Sequence, residues 1–409
     1  MKSISFLIKA FCLLILNFII APSTQAQFNG DFEIKRYYLG EENFYDWKAY
    51  QTPVNWDKQW FSTKNGMKSS TGSISMDEFY IFLEINLHMD LSDHISFLYK
   101  QQQNSFFRPE DDYKEAEFRF GKNIYYSIIG FPTYDKKYGS VGHAISLGEA
   151  ENLNFIRFSK LDQYIVYNDK NVENDRQSAN NYYSATPVLY RLQSNYLLFD
   201  SCWINIDFKD EPETTFIDDD KAQKSHYQGR ETHLQLEWQF DSNSSAGIKV
   251  MQDHETRQTI PDDSSANIDS DQLMRLEVYD LYMGFTIFDT DYLSLGFMRG
   301  YFQNLITDNN DSETYDFLLT SDQVYSKWQW YLDDNSDALY ALQAGTFKIF
   351  KQKDQEIELD NDGIQIKATI GIIFHEAEKY DLVLNSTWDL DLIQEKQWDG
   401  GNVQFIFYF

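Results

Sequence analysis

The chain is poor in cysteine, in basic charge and in long apolar runs, and each shortage removes a class of structure. Cys12 and Cys202 are its two cysteines in 409 residues. Cys12 falls inside the N-terminal leader described below, so the exported chain keeps Cys202 alone and forms no internal disulfide. An exported chain of this length must then find stability elsewhere, and closed strand ladders would supply it. Beyond the leader no apolar stretch is long enough for a membrane-crossing helix, and no sustained helical periodicity stands out. Lys and Arg number 35 against 64 Asp and Glu, a net charge of -29. Nucleic acid is excluded as a partner for so acidic a surface. Catalytic signatures are missing too: there is no Gly-x-Ser-x-Gly elbow, His-Glu-x-x-His pair or phosphate-binding glycine loop.

What is present begins at the N-terminus. Lys2 and Lys9 precede a mostly apolar run over residues 10–20, and Thr24-Gln25-Ala26 closes it with small residues. A charged start, a short apolar core and a small-residue exit make a secretory signal peptide over residues 1–26. No lipobox precedes Cys12, which argues against a lipid anchor. Loss of Lys2 and Lys9 brings the mature charge to about -31.

The body of the chain alternates with period two. Phe79, Ile81, Leu83, Ile85, Leu87 and Met89 alternate with Tyr80, Phe82, Glu84, Asn86 and His88. Leu234, Leu236, Trp238 and Phe240 do the same against Gln235, Glu237 and Gln239, as do Ile364, Ile366, Ala368, Ile370 and Ile372 against Gln365, Lys367, Thr369 and Gly371. This is the pattern of strands with one apolar face, and each run approaches the roughly 9–11 residues a tilted strand needs to cross a bilayer. Tyr, Phe and Trp make up 17% of the chain, which suits aromatic girdles at two membrane interfaces.

At the C-terminus Val403, Phe405, Phe407 and Phe409 share one face of a final strand, while Gln404, Ile406 and Tyr408 share the other. A terminal Phe closing such a strand resembles the last strand of bacterial outer-membrane β-barrels of the porin-like class. That resemblance implies a closed antiparallel transmembrane β-barrel in the outer membrane, with Phe409 as the signal read by the barrel-assembly machinery and outer-membrane lipid around the wall.

The connections fit such a barrel. Short polar turns are expected near residues 91–93, 121–123, 160–161, 199–201, 241–245, 288–291, 333–337 and 375–379. Longer loops are expected near 101–113, 132–151, 168–183, 209–229, 256–271, 303–321, 351–361 and 391–400. Short turns alternating with long loops are what periplasmic and extracellular ends require. They join about 17 strands from residue 77 onward, and even parity brings the expectation to about 18, within 16–20. The first strand is expected at 31–38, with 56–61 as the other candidate. Residues 27–76 thus form an N-terminal segment with the first strand and a long loop, and 77–409 the main part of the barrel. Leu276 and Val278 are out of phase with Leu281, Met283 and Phe285, which suggests a β-bulge near 279–280.

Positions opposite the lipid face should line the lumen. The ionisable ones are Glu84, His88, Lys100, Glu117, Arg119, Asp207, Glu237, Lys249, Asp253, Arg275, Glu277, Lys327, Lys367 and Asp389. A lipid-facing Arg or Lys at mid-bilayer would cost about 2–4 kcal/mol, so the inward face is favoured. Such a wall would pass a small polar solute, and its two signs nearly balance. Charges paired across strands could equally well only stabilise the barrel. No cofactor or metal is called for: Glu358-x-Asp360-x-Asp362-Gly363 starts like a calcium loop, but Thr369 stands where its closing Glu belongs. Two other functions compete. Trp47, Trp56 and Trp60 would offer sugar-stacking surfaces to a polysaccharide-exporting or surface-binding barrel. His143, between Ser140 and Ser146, would be the base of an outer-membrane hydrolase, though no third orienting group is legible. Association into a homo-oligomer is left open by the sequence.

Overall fold

A computed structural model describes strands and turns between Gly66 and Tyr408. Residues 1–65 and 409 lie outside that description, as do connecting segments 76–77, 105–112, 131–140, 149–153, 163–180, 184–187, 219–222, 262–269, 289–290, 309–312, 334, 354–355, 377–378 and 391–397. Every described element is β. The first nine segments are β1 (Gly66–Ser75), β2 (Glu78–Ser92), β3 (Ile95–Asn104), β4 (Tyr113–Gly121), β5 (Ile124–Gly130), β6 (Val141–Leu147), β7 (Phe155–Asp162), β8 (Asn181–Tyr183) and β9 (Val188–Leu198). The rest are β10 (Cys202–Asp218), β11 (Gln223–Asp241), β12 (Ser244–Pro261), β13 (Ser270–Ile287) and β14 (Asp291–Asp308), then β15 (Glu313–Asp333), β16 (Ser336–Lys353), β17 (Glu356–Glu376), β18 (Tyr380–Asp389) and β19 (Trp398–Tyr408).

Short β8 pairs with the far end of β10 beyond the stretch that β9 covers, so β8 and β9 are two pieces of one strand. The 19 segments therefore make 18 strands. Each pairs antiparallel with its sequence neighbour, and β1 pairs with both β2 and β19, which closes the ring. Closure satisfies every ladder without leaving an open edge, the condition for crossing a bilayer with strands.

Short side-chain caps explain the tight turns. Asp241 accepts from Asn243 N and Asp333 from Asn335 N, at 2.8 and 2.9 Å. Phe199 and Asp200 both have positive φ, at 56° and 54°, and Ser201 N closes onto Leu198 O. That is the turn geometry that matches the right-handed twist of a two-residue hairpin.

Several sequence expectations are corrected. The closing strand within the N-terminal segment is β1; the expected strands at 31–38 and 56–61 fall outside the described residues. The turn expected at 160–161 lies inside β7, because β6 occupies part of the supposed loop 132–151 and the connection falls at 148–154. Loops expected at 209–229, 256–271, 303–321 and 351–361 shrink, since β10 to β17 run on as strands of 17–21 residues. Polar residues there hide the alternation, but the ladder continues past the lipid. The bulge expected at 279–280 is absent: β13 keeps continuous register with both β12 and β14. The ladder does shift at Glu211/Thr214, next to Pro212, which has no N–H to donate.

Candidate functional site

The register sorts every strand into two faces. Outward on the short-turn side stand Trp238, Phe240, Leu281, Met283, Leu295, Phe297, Val324 and Ile370. On the low wall of β4 to β7 the outward set is Phe118, Phe120, Ile128, Ile145 and Phe158. Ile145 is 59% exposed while Ala144 and Ser146 beside it are buried, so in this molecule the apolar face is the exposed one. This inverts a soluble fold and supplies an apolar belt for lipid.

The inner face carries the ions. Glu117 on β4, 3% exposed, accepts from Arg119 Nε at 3.0 Å and pairs with Arg157 Nη1 on β7 at 2.8 Å. Arg191 on β9 grips Asp207 on β10 with two nitrogens, the Nε–Oδ1 bond being 2.7 Å. The fork matches the carboxylate geometry. Lys209 pairs with Glu231 on β11, whose other oxygen lies 2.8 Å from His233 Nε2. Further round, Tyr282 on β13 donates to Glu237 Oε2 at 2.7 Å and accepts from Gln235 at 3.2 Å. Lys249 Nζ sits 5.2 Å from the Tyr282 ring centre, and Tyr325 on β15 donates to Asp280 at 2.9 Å. Among these described groups positive and negative charges occur in nearly equal number.

The expected lumen residues divide as follows. Glu117, Arg119, Asp207, Glu237, Lys249 and Asp253 share the inner face, by the continuous register from β4 to β12. His88 joins them, since it pairs with Leu98 and Leu98 with Glu117, while the side chains of Glu84 and Lys100 fall outside the described residues. Lys327 pairs with Ser294 and Ala341, and Lys367 with Gln343, again inward, while the Asp389 side chain falls outside the described residues. Phe409 falls outside the described residues.

Arg275 and Glu277 are corrected: both stand on the outer face. There Glu277 meets Arg275 Nη2 at 2.5 Å, His254 Nε2 at 2.8 Å and Tyr279 OH at 2.9 Å. The physical reason is height. Leu281 and Met283 occupy the belt, whereas Tyr279, Glu277 and Arg275 follow beyond it, where Glu277, only 8% exposed, is compensated by its three partners. Their neighbours Leu276 and Val278 turn inward, at 1% and 0% exposure, with Met251, Met274, Met298 and Phe302 also buried on the inner wall.

Sequence reasoning missed Arg157, Arg191, Lys209, Glu231, His233 and Asp280 on the inner face. Arg157 was hidden by the misplaced turn, and Asp280 by the supposed bulge. The hydrolase candidates separate: His143 lies on the exposed outer face of β6, against Tyr126, while Ser146 is buried on the inner face, and Ser140 is outside the described residues. The calcium-like run 358–363 lies within β17.

An even, closed antiparallel ladder with an apolar outer belt and a charged inner wall defines a transmembrane β-barrel of the outer-membrane class. No protein-family model matches the sequence, and no curated protein matches it. Solved structures similar in architecture include OccK2 (OpdF) of Pseudomonas aeruginosa in complex with glucuronate, at 10% identity and a TM-score of 0.39, covering 84% of this chain and 97% of that one. A loop L8 deletion mutant of OmpT, an outer membrane protein of Vibrio cholerae, has 9% identity and a TM-score of 0.38, covering 84% and 97%. A bacterial polysaccharide outer membrane secretin has 9% identity and a TM-score of 0.38, covering 85% and 99%. Likenesses this low carry no functional weight.

Proposed function

We propose that the barrel is a porin-like channel of the outer membrane that passes small polar solutes through its lumen. The observation that carries this reading is the inner wall of β9 to β11, where Arg191, Asp207, Lys209 and Glu231 are ion-paired yet 18–29% exposed. Charges that only fill a sealed barrel would be excluded from water; these keep solvent contact. Barrels of about 16–18 strands leave an aqueous channel, which supports the same reading. Passage needs no catalysis, and the opposite faces of His143 and Ser146 agree with that. The leader at 1–26 would export the chain, Phe409 would present it to the barrel-assembly machinery, and the apolar belt would take up outer-membrane lipid.

The test is single-channel recording of the refolded mature protein in planar bilayers. Discrete conductance steps are expected, and Lys209→Gln and Glu231→Gln should move the ion reversal potential in opposite directions. A folded barrel that conducts nothing would overturn the proposal.

A further inference from the structure

The low wall carries charge at a depth where the rest of the belt is apolar. His143 on β6 and Lys160 and Asp162 on β7 share the outward face with Ile145 and Phe158. His143 lies opposite Lys160 across the ladder, and Lys160 Nζ is 3.2 Å from Asp162 Oδ1. Counted from the short-turn end of each strand, His143 stands four residues up and Lys160 five. On the tall side the outward residues four and six up on β13 are Met283 and Leu281, both in the belt. A Lys that faces lipid at such a depth is destabilising. The wall is also short for a bilayer: β5 and β6 have 7 residues each and β7 has 8, so lipid would have to thin against them. Covering this wall with protein removes both costs.

We infer that the outward face of β5 to β7 is where a second copy of this barrel docks, with His143, Lys160 and Asp162 as the polar layer of the contact. Barrels related by a two-fold axis along the membrane normal sit at one depth, so a low wall meets a low wall and the polar layer meets itself. That layer carries both signs, and each copy offers a carboxylate to the other's Lys160. An unrelated partner would have to match the depth, the shortness and the charge independently. The wall is braced from behind. Glu117 on β4 reaches Arg157 Nη1 on β7 at 2.8 Å across β5 and β6, whose inner residues Ser127, Ala144 and Ser146 are small enough to lie beneath the pair. Four strands are thereby tied into one plate, and a face that is already rigid loses little freedom on docking. The docking holds whether or not the lumen conducts.

The test is photo-cross-linking in isolated outer membranes. In a Cys202→Ser background, Ile145→Cys on the low wall and Leu281→Cys on the tall wall are each labelled with a lipid-soluble benzophenone maleimide and irradiated. Folding is checked by the heat-dependent gel mobility of closed barrels, and Phe158→Cys replaces Ile145→Cys if the latter does not fold. The low-wall site should give an adduct of twice the chain mass that contains this chain alone, and the tall-wall site should give none. Adding Lys160→Leu should lower that yield by roughly threefold or more, because it leaves the partner's Asp162 without its cation in a dry contact. Adducts with lipid only, or with a different protein, would overturn the second copy as occupant. Equal yields from the two walls would mean random collision and overturn it as well. An unchanged yield from folded Lys160→Leu would remove the polar layer from the contact, and the inference with it.

Discussion

Ile370 and Thr369 are adjacent in β17, yet Ile370 is 53% exposed and Thr369 is buried against Thr387 at 2.9 Å. The difference is the pleat: successive side chains leave a strand on opposite faces. Six residues above the β17–β18 turn, Ile370 stands near the middle of the belt, and Ile364 stands three outward positions further up, past Ala368 and Ile366. Ile370→Arg should therefore destabilise the folded barrel by about 2–4 kcal/mol, while Ile364→Arg, near the interface, should cost roughly 0–1 kcal/mol. Denaturant titration of barrels refolded into lipid vesicles would measure both, and equal costs would contradict this depth assignment. These faces were legible wherever apolar residues recur at every second position. Arg275 and Glu277 were misassigned because the same period, read above the belt, no longer says which face meets lipid.

Between strands, the β1–β19 seam decides whether the ladder is a ring. β1, Gly-Met-Lys-Ser-Ser-Thr-Gly-Ser-Ile-Ser, has almost no apolar alternation, which is why the sequence pointed to 31–38 instead. Its strand state comes from the two ladders it joins, with Ser70 opposite Gln404 on one side and Phe82 on the other. Directly opposed side chains have Cβ atoms about 4.5–5.5 Å apart, close enough for a disulfide after small adjustment. In a Cys202→Ser background, Ser70→Cys with Gln404→Cys should cross-link on oxidation and shift gel mobility. Failure to cross-link, with the 31–38 segment cross-linking to β19 in its place, would transfer closure to that segment.

The whole barrel has an uneven wall. β4 to β7 span 7–9 residues, at or just under the roughly 9–11 that cross a bilayer, whereas β10 to β17 span 17–21 and stand well above it. The outer face of that tall side changes from Leu281, Leu295, Phe297 and Val324 to Tyr279, Arg299, Tyr301 and Asp322 within one step along each strand. In the Cys202→Ser background, Gln303→Cys should react with a membrane-impermeant thiol reagent added to intact cells, and Leu281→Cys should not. Labelling of both, or of Leu281→Cys alone, would refute the proposed height of the membrane.

Local pattern was enough for the strand count, the antiparallel hairpins, the lipid face of the belt and the C-terminal strand, because each depends on residues two apart or on a turn of a few residues. The closing strand, the continued ladders above the membrane and the partners of the inner ions were decided only by tertiary structure. A polar strand such as β1 is held by hydrogen bonds from neighbours more than 300 positions apart in sequence, Gly66 to Tyr408 on one side. Likewise Arg157 meets Glu117, and Tyr325 meets Asp280, only because the register of intervening strands sets them on one face at one height. Such register is a property of the closed sheet, and no single strand contains it.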